Sequence, residues 1–167
     1  METARLSIKR ISDKDWEQLR RICSDFSAGP YALYDAPIDT SDENMMRMAV
    51  SMSCDEDSFG VYLRGSDVMI GYYCCHRHGE EAELGYCFDS AYHRRGYAYE
   101  SALAVMEHYR QTGVKRLTAG TAVENVPSME MLLSLGFVRY ASEYVSFYKD
   151  DEGDDIFFEG ALFEKYI

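Results

Sequence analysis

The chain has 167 residues, 47% of them hydrophobic, which favours one folded domain spanning residues 1–167. Its formal net charge of -12 argues against a duplex nucleic-acid partner, because phosphate binding needs clustered cations; an acidic surface attracts cationic ligands instead. There is no eighteen-residue apolar run, no signal-peptide pattern and no disulfide framework among the five cysteines, so we expect a cytoplasmic protein without a membrane span.

The first part of the chain predicts one strand and two helices. Alternating apolar residues favour a strand over residues 5–10, and Ser12 can cap the helix that follows. An aromatic-rich loop, Tyr31 to Pro37, comes next. Thr40 followed by Glu43 then indicates a capping box that opens a second helix.

The rest of the chain predicts mostly strands. Helical spacing is found over Gly96–Thr112 and Asn125–Leu135, and a glycine ends each segment. Strand patterns and turn residues predict strands over residues 59–63, 68–75, 82–88, 115–121, 137–148 and 156–163. This order predicts an α+β domain with a mixed, mostly antiparallel sheet of six to seven strands, flanked by about four helices.

A basic turn between a strand and a helix is the segment most informative about function. In an otherwise acidic chain it contains Arg94 and Arg95, followed by Gly96, which lets the backbone approach a ligand closely. The first N–H groups of a helix lack partners and lie at the positive end of its dipole, so they bind phosphate. The turn has neither the three spaced glycines of a dinucleotide fingerprint nor the Lys-Ser/Thr of a P-loop. By itself it is also compatible with an ordinary surface loop.

A second strand-to-helix unit follows at once, and with it the sequence resembles the GNAT acetyltransferase superfamily and its RimJ/RimL-like branch. The Gln/Arg-x-x-Gly-x-Gly/Ala turn of the superfamily corresponds to residues 93–98, with His93 where Gln, Arg or an aromatic residue is usual. Four motifs of the branch are matched by Glu83–Tyr86, Gly96–Glu100, Asn125 with Ser128, and Leu135–Phe137.

The resemblance implies a V-shaped splay between the central parallel strands and acetyl-CoA as co-substrate, with no metal. The pyrophosphate of CoA would lie on the amides of residues 94–99. The pantetheine arm would enter the splay and pair with the backbone of the 82–88 strand. The residues implied to contact CoA are Tyr86, Cys87, Phe88, His93, Arg94, Arg95, Gly96, Tyr97, Ala98, Tyr99, Asn125 and Ser128.

Acetyl transfer needs a neutral amine, so a base must remove its proton. Glu83 is the first candidate, since in a regular strand it shares a face with Gly85 and Cys87, near the expected acetyl group. A backbone N–H near Cys87 would donate a hydrogen bond to the carbonyl oxygen of the thioester. The alternative is that Glu83 is an exposed structural carboxylate.

The donor to the leaving thiolate is less well defined by sequence. Many superfamily members have a Tyr seven residues after the Asn, where this chain has Leu132. Ser128 is therefore the candidate donor, although its hydroxyl also suits a helix cap. Tyr140 and Tyr144 on the closing strands are alternatives.

Two further groups of residues have competing interpretations. Tyr31 and Tyr34 either line the acceptor cleft, as the family's loop does, or pack between helices. Cys74, His76 and His78 alternate along one strand, but no second pair with metal spacing follows, so no metal site is predicted.

The sequence thus predicts an acetyl-CoA-dependent N-acetyltransferase acting by direct attack on the thioester, as a monomer or homodimer. The RimJ/RimL resemblance implies a protein or peptide N-terminal α-amine as acceptor. Two alternatives stay open: a small amine, such as a polyamine, aminoglycoside or amino-acid analogue, and a non-catalytic CoA-binding module.

Overall fold

The computed structural model describes residues 1–167 and contains one seven-stranded sheet with four α-helices. The helices are α1 (Trp16–Ser27), α2 (Asp42–Cys54), α3 (Tyr97–Gln111) and α4 (Val126–Ser134). The strands are β1 (Leu6–Arg10), β2 (Ser58–Leu63), β3 (Met69–His78), β4 (Glu81–Phe88), β5 (Arg116–Ala122), β6 (Val138–Lys149) and β7 (Asp155–Tyr166). Their order in the sheet is β1-β2-β3-β4-β5-β7-β6, which confirms the predicted mixed α+β architecture.

The only parallel pair of strands, β4 and β5, is joined over a short distance. Their register runs from Glu81 opposite Arg116 to Glu83 opposite Thr118, and no pairing follows. Beyond this seam, residues 84–88 of β4 still pair with β3, and residues 119–122 of β5 still pair with β7. The sheet therefore opens into a V at its centre, as the resemblance implied.

Two separate cores cover the two faces of the sheet. On one face, α3 and α4 bury apolar side chains against the strands, among them Val105, Tyr109 and Leu132. On the other face, α1 and α2 do the same through residues such as Leu19 and Met45. Fully burying such a side chain contributes about 1.5–3 kcal/mol relative to leaving it exposed. The V is thus held between two well-packed helical layers.

Several predicted boundaries need correction. The capping box expected at Thr40 and Glu43 is absent, because Ser41 is the residue before α2 and its side chain makes no cap hydrogen bond. A capping box forms instead between Ser12 and Asp15. Strands β3 and β7 also extend beyond their predicted ends, since pairing with β4 and β5 continues there. None of the helices combines the length and apolar content that crossing a membrane would require.

Candidate active site

The basic turn presents a row of free backbone donors at the start of α3. Arg94 and Gly96 both have positive φ angles, 62° and 77°, which turn successive N–H groups outward. No hydrogen bond within the protein uses the N–H groups of residues 94–99. Because α3 is 15 residues long, these donors also lie at the positive end of a substantial helix dipole. Free N–H groups at the start of a long helix are suited to bind phosphate oxygens.

An ion-pair network from the segment just before β1 braces this turn. The Arg5 guanidinium donates to the Arg95 carbonyl oxygen at 2.9 Å and to Glu100 at 2.6 Å, and it lies 4.6 Å from the centre of the Tyr97 ring. Thr3 donates to the same Glu100 carboxylate at 2.6 Å. Burial raises the pKa of Glu100, but hydrogen bonds from Thr3 and Arg5 outweigh this effect and lower the pKa below its ordinary value. Arg5 thus holds the turn in shape.

Replacing Arg5 by alanine should raise the KM for acetyl-CoA about three- to tenfold with little change in kcat, because the turn loses its brace but no reacting group. Steady-state kinetics with varied acetyl-CoA measures this. Arg64→Ala is the matched control, since Arg64 donates to the Thr3 carbonyl and contacts no residue of the turn. Equal KM values for the two variants would contradict the assigned role.

His93, the departure from the superfamily motif, fastens the turn to the end of β4. Its Nε2 lies 2.9 Å from the Phe88 carbonyl oxygen. Since a carbonyl can only accept, Nε2 carries the hydrogen in this contact. The imidazole therefore fixes the path from strand to turn. Contact between His93 and CoA stays a prediction.

A cleft of about 270 Å³ opens beside the V, on the face covered by α1 and α2. On its wall, Glu83 lies opposite His76 and Gly85 opposite Cys74 across the β3–β4 ladder. A Cβ at position 85 would approach the Cys74 carbonyl oxygen to 2.7 Å, so only glycine fits there. The lining residues are Phe26, Asp35, Ile38, Tyr72, Cys74, His76, Glu83, Gly85, Tyr86 and Cys87.

The charged side chains of the cleft favour binding of a cationic ligand. Its side chains include the carboxyls of Glu83 and Asp35 but no Lys or Arg. Burial raises the pKa of Asp35, an effect that a hydrogen bond from the Ala36 N–H partly offsets. Burial also raises the pKa of the Cys87 thiol to about 12. Cys87 therefore stays protonated at neutral pH and is unsuited to act as a nucleophile.

On the opposite face, two hydroxyls meet between β4 and α4. Tyr86 Oη lies 2.8 Å from Ser128 Oγ. Asn125 Oδ1 accepts from the Ser128 N–H at 3.3 Å and so caps α4. Leu132, where many superfamily members have a tyrosine, is 1% exposed and belongs to the core. The structure thus brings Ser128 to the V, partnered by Tyr86.

The aromatic loop reaches the cleft through residues other than those predicted. Tyr34 packs edge-on against Phe158 at 5.4 Å, and neither it nor Tyr31 is among the lining residues. Asp35 and Ile38 line the cleft instead, and no pattern in the sequence distinguished them from the rest of the loop.

The alternating residues Cys74, His76 and His78 do not all lie in the cleft. Cys74 and His76 line the cleft, whereas His78 lies at the far end of β3. The structure contains no group of three or more His, Cys, Asp or Glu side chains arranged to hold a metal ion. The alternative donors Tyr140 and Tyr144 are exposed on the edge strand β6 and do not line the cleft.

The chain is similar to known acetyltransferases over most of its length. The family model described as Acetyltransferase (GNAT) domain matches residues 5–138. The chain is 28% identical over 140 residues to the uncharacterized N-acetyltransferase YnaD of Bacillus subtilis (strain 168), covering 82% of this chain and 81% of that protein.

Among solved structures, a GNAT-family acetyltransferase from Bacillus anthracis superposes with a TM-score of 0.84 at 22% identity, covering 99% of this chain and 97% of that one. Ribosomal-protein-S5-alanine acetyltransferase from Vibrio fischeri superposes with a TM-score of 0.76 at 16% identity, covering 99% and 95%. With the family model spanning most of the chain and the phosphate turn beside an open V, the protein belongs to the GNAT family and is an acetyl-CoA-dependent N-acetyltransferase.

Proposed function

We propose that the acceptor is the α-amine of a protein or peptide N-terminus, as in the RimJ/RimL-like branch. The observation that carries this proposal is the small cleft with two carboxyls and no Lys or Arg. Its volume of about 270 Å³ is enough for the first residue or two of a longer chain. The fold shared with the S5-alanine enzyme of Vibrio fischeri is in keeping with this acceptor.

The residues of the V and the turn fit acetyl-CoA. The free N–H groups of residues 94–99 would receive the pyrophosphate oxygens, and Arg94 and Arg95 add positive charge beside them. The unpaired edge of residues 84–88 would pair with the amides of the pantetheine arm, as an added strand does. Acetyl-CoA supplies an activated acetyl group, and the protein orients it against the amine.

Glu83 is the base in this proposal. Its carboxylate lines the cleft two residues before Gly85 on the same strand face, where the acceptor amine would enter. It takes the proton that the attacking amine must lose, while a backbone N–H near Cys87 donates to the carbonyl oxygen. Transfer in this proposal goes directly from thioester to amine, and the raised pKa of the Cys87 thiol is in keeping with that route.

The donor to the leaving sulfur is Ser128, whose hydroxyl lies at the V beside the Tyr86 hydroxyl. A chain that bound CoA without catalysis would need none of this arrangement. The five cysteines are all free thiols, in keeping with a cytoplasmic location. We expect a monomer or a homodimer.

An acceptor panel tests the proposal. Purified protein with acetyl-CoA should release CoA thiol rapidly with short peptides that have a free N-terminus, and N-acetylation of the same peptides should abolish the reaction. Polyamines, aminoglycosides and amino-acid analogues form the second arm. A kcat/KM at least tenfold higher on any of these small amines would overturn the peptide assignment, and CoA binding without turnover on any amine would leave only a binding module.

A further inference from the structure

We infer that Tyr86 is a positioning residue, which orients the Ser128 hydroxyl so that its hydrogen points to the sulfur that leaves with CoA. This inference rests on acetyl transfer itself and not on the identity of the acceptor.

The position of the pair is set by the end of the β4–β5 seam. Pairing stops at Glu83 and Thr118, and Tyr86 follows on the part of β4 that diverges. Ser128 lies in the first turn of α4, which comes directly after β5. Their 2.8 Å contact therefore bridges the V just beyond the point where the strands part. Both residues are partly buried.

The count of hydrogens leaves one donor uncommitted. Two hydroxyls have two O–H hydrogens, and their mutual contact uses one of them. Neither hydroxyl makes another hydrogen bond within the protein; Ser128 meets Asn125 only through its backbone N–H. A phenol is the stronger donor and an aliphatic alcohol the better acceptor. The contact allows either direction, and on this ground we assign Tyr86 as the donor to Ser128 Oγ, which leaves the Ser128 hydrogen free.

Tyr86 is built to hold this role without ionising. Its ring lies 6.0 Å from that of Tyr73 in the core, which restrains its orientation. Burial raises the pKa of Tyr86 to about 12, although the contact with Ser128 acts in the opposite direction. A thiol has an ordinary pKa near 8.5, well below that of this phenol, so a full proton transfer from Tyr86 to a thiolate is uphill. The pair thus stabilises the sulfur by hydrogen bonding and keeps both protons.

With this assignment, every bond, electron pair and proton of the acetyl transfer is accounted for. The amine nitrogen forms the new C–N bond, the C–S bond breaks, and its electron pair goes to sulfur, which accepts a hydrogen bond from Ser128. Glu83 takes the proton lost by the amine and returns it to solvent. The thiolate is protonated from solvent after release. Tyr86 and Ser128 are unchanged at the end of the cycle.

Equilibrium binding measures the hydrogen bond between Ser128 and the CoA sulfur separately from catalysis. Calorimetry should compare CoA with desulfo-CoA, which lacks only the sulfur, in the wild type and in Tyr86→Phe. We expect the wild type to bind CoA about two- to tenfold more tightly than desulfo-CoA, the range for one hydrogen bond. In Tyr86→Phe this ratio should fall towards one, because Ser128 loses the partner that aims its hydrogen. A purely structural role would weaken both ligands equally.

Kinetics supply the second readout. Tyr86→Phe should lower kcat about tenfold and leave the KM for acetyl-CoA nearly unchanged. Ser128→Ala should lower kcat at least as much, and the double variant no further, because the two hydroxyls act as one unit. Tyr62→Phe is the matched control: it also removes a hydrogen-bonded hydroxyl, which donates to Asp15 away from the V. Its kcat should stay within twofold of the wild type.

Three outcomes would overturn the inference. One is a Tyr86→Phe enzyme with wild-type kcat and an unchanged preference for CoA over desulfo-CoA. Another is a full loss in Tyr86→Phe together with normal turnover in Ser128→Ala. The third is strictly additive effects in the double variant. The preference for CoA over desulfo-CoA is measured without an acceptor, and the kinetic outcomes need only one amine of either class that is turned over, so failure of the peptide proposal is recognised separately.

Discussion

Replacing Gly96 by valine should weaken CoA binding about 10- to 100-fold. Gly96 has a φ of +77° immediately before α3, and a left-handed conformation costs a non-glycine residue about 1–2 kcal/mol, more for a branched side chain. Relief of that strain rotates the free N–H groups away from the phosphates, and each charge-assisted hydrogen bond lost costs roughly 1.5–3 kcal/mol. Calorimetric titration with CoA measures the change.

The control for this variant lies at the other end of the same helix. Gly113 follows α3 with a φ of +92°, and nothing lies within 4 Å of a Cβ placed there. Gly113→Val should therefore lower thermal stability about as much as Gly96→Val does, because both force a branched residue into a left-handed conformation. It should leave CoA affinity unchanged. If the two variants bound CoA equally well, the turn before α3 would not be the phosphate site.

Replacing Glu83 by glutamine should reduce kcat on the acceptor about 100-fold at neutral pH, the lower end of what a general base contributes. The amide keeps the size of the side chain but takes no proton. The loss should shrink as the pH rises, because an α-amine with an ordinary pKa near 7.7–8.0 then loses its proton to solvent. A pH series of kcat and kcat/KM measures this.

Glu81→Gln is the matched control, since Glu81 belongs to the same strand but binds Arg116 and does not line the cleft. Its rate should stay within twofold of the wild type. An unchanged kcat in Glu83→Gln at every pH would remove Glu83 from the reaction and direct attention to His76 and Asp35, the imidazole and the second carboxyl of the cleft wall.

The sequence was informative wherever local chemistry decides structure. The alternating pattern of β1, the basic turn and the glycines after α3 and α4 each follow from neighbouring residues, and the structure has them in place. The V between β4 and β5 came from family resemblance rather than from any local pattern. A motif shared with a family predicts the V because the same segment of the chain forms it in other members.

Contacts between distant segments were beyond reach of the sequence. Arg5 and Glu100 are 95 residues apart, and Tyr86 and Ser128 are 42 apart. Nothing in either neighbourhood identifies its partner, because register and helix placement decide which side chains meet. Asp35 entered the cleft for the same reason. Tyr31 and Tyr34 are more conspicuous in the sequence, yet Tyr34 packs against β7.

The short pairing between β4 and β5 affects how the two parts of the sheet can move. Three register pairs join a half-sheet of β1 to β4 to another of β5 to β7, so backbone hydrogen bonding between the halves is sparse at this line. A pantetheine arm bonded along the edge of β4 would lengthen the joint, and its loss after turnover would shorten it again. The two halves should therefore flex against each other most freely between catalytic cycles, when product must depart and a new donor must enter.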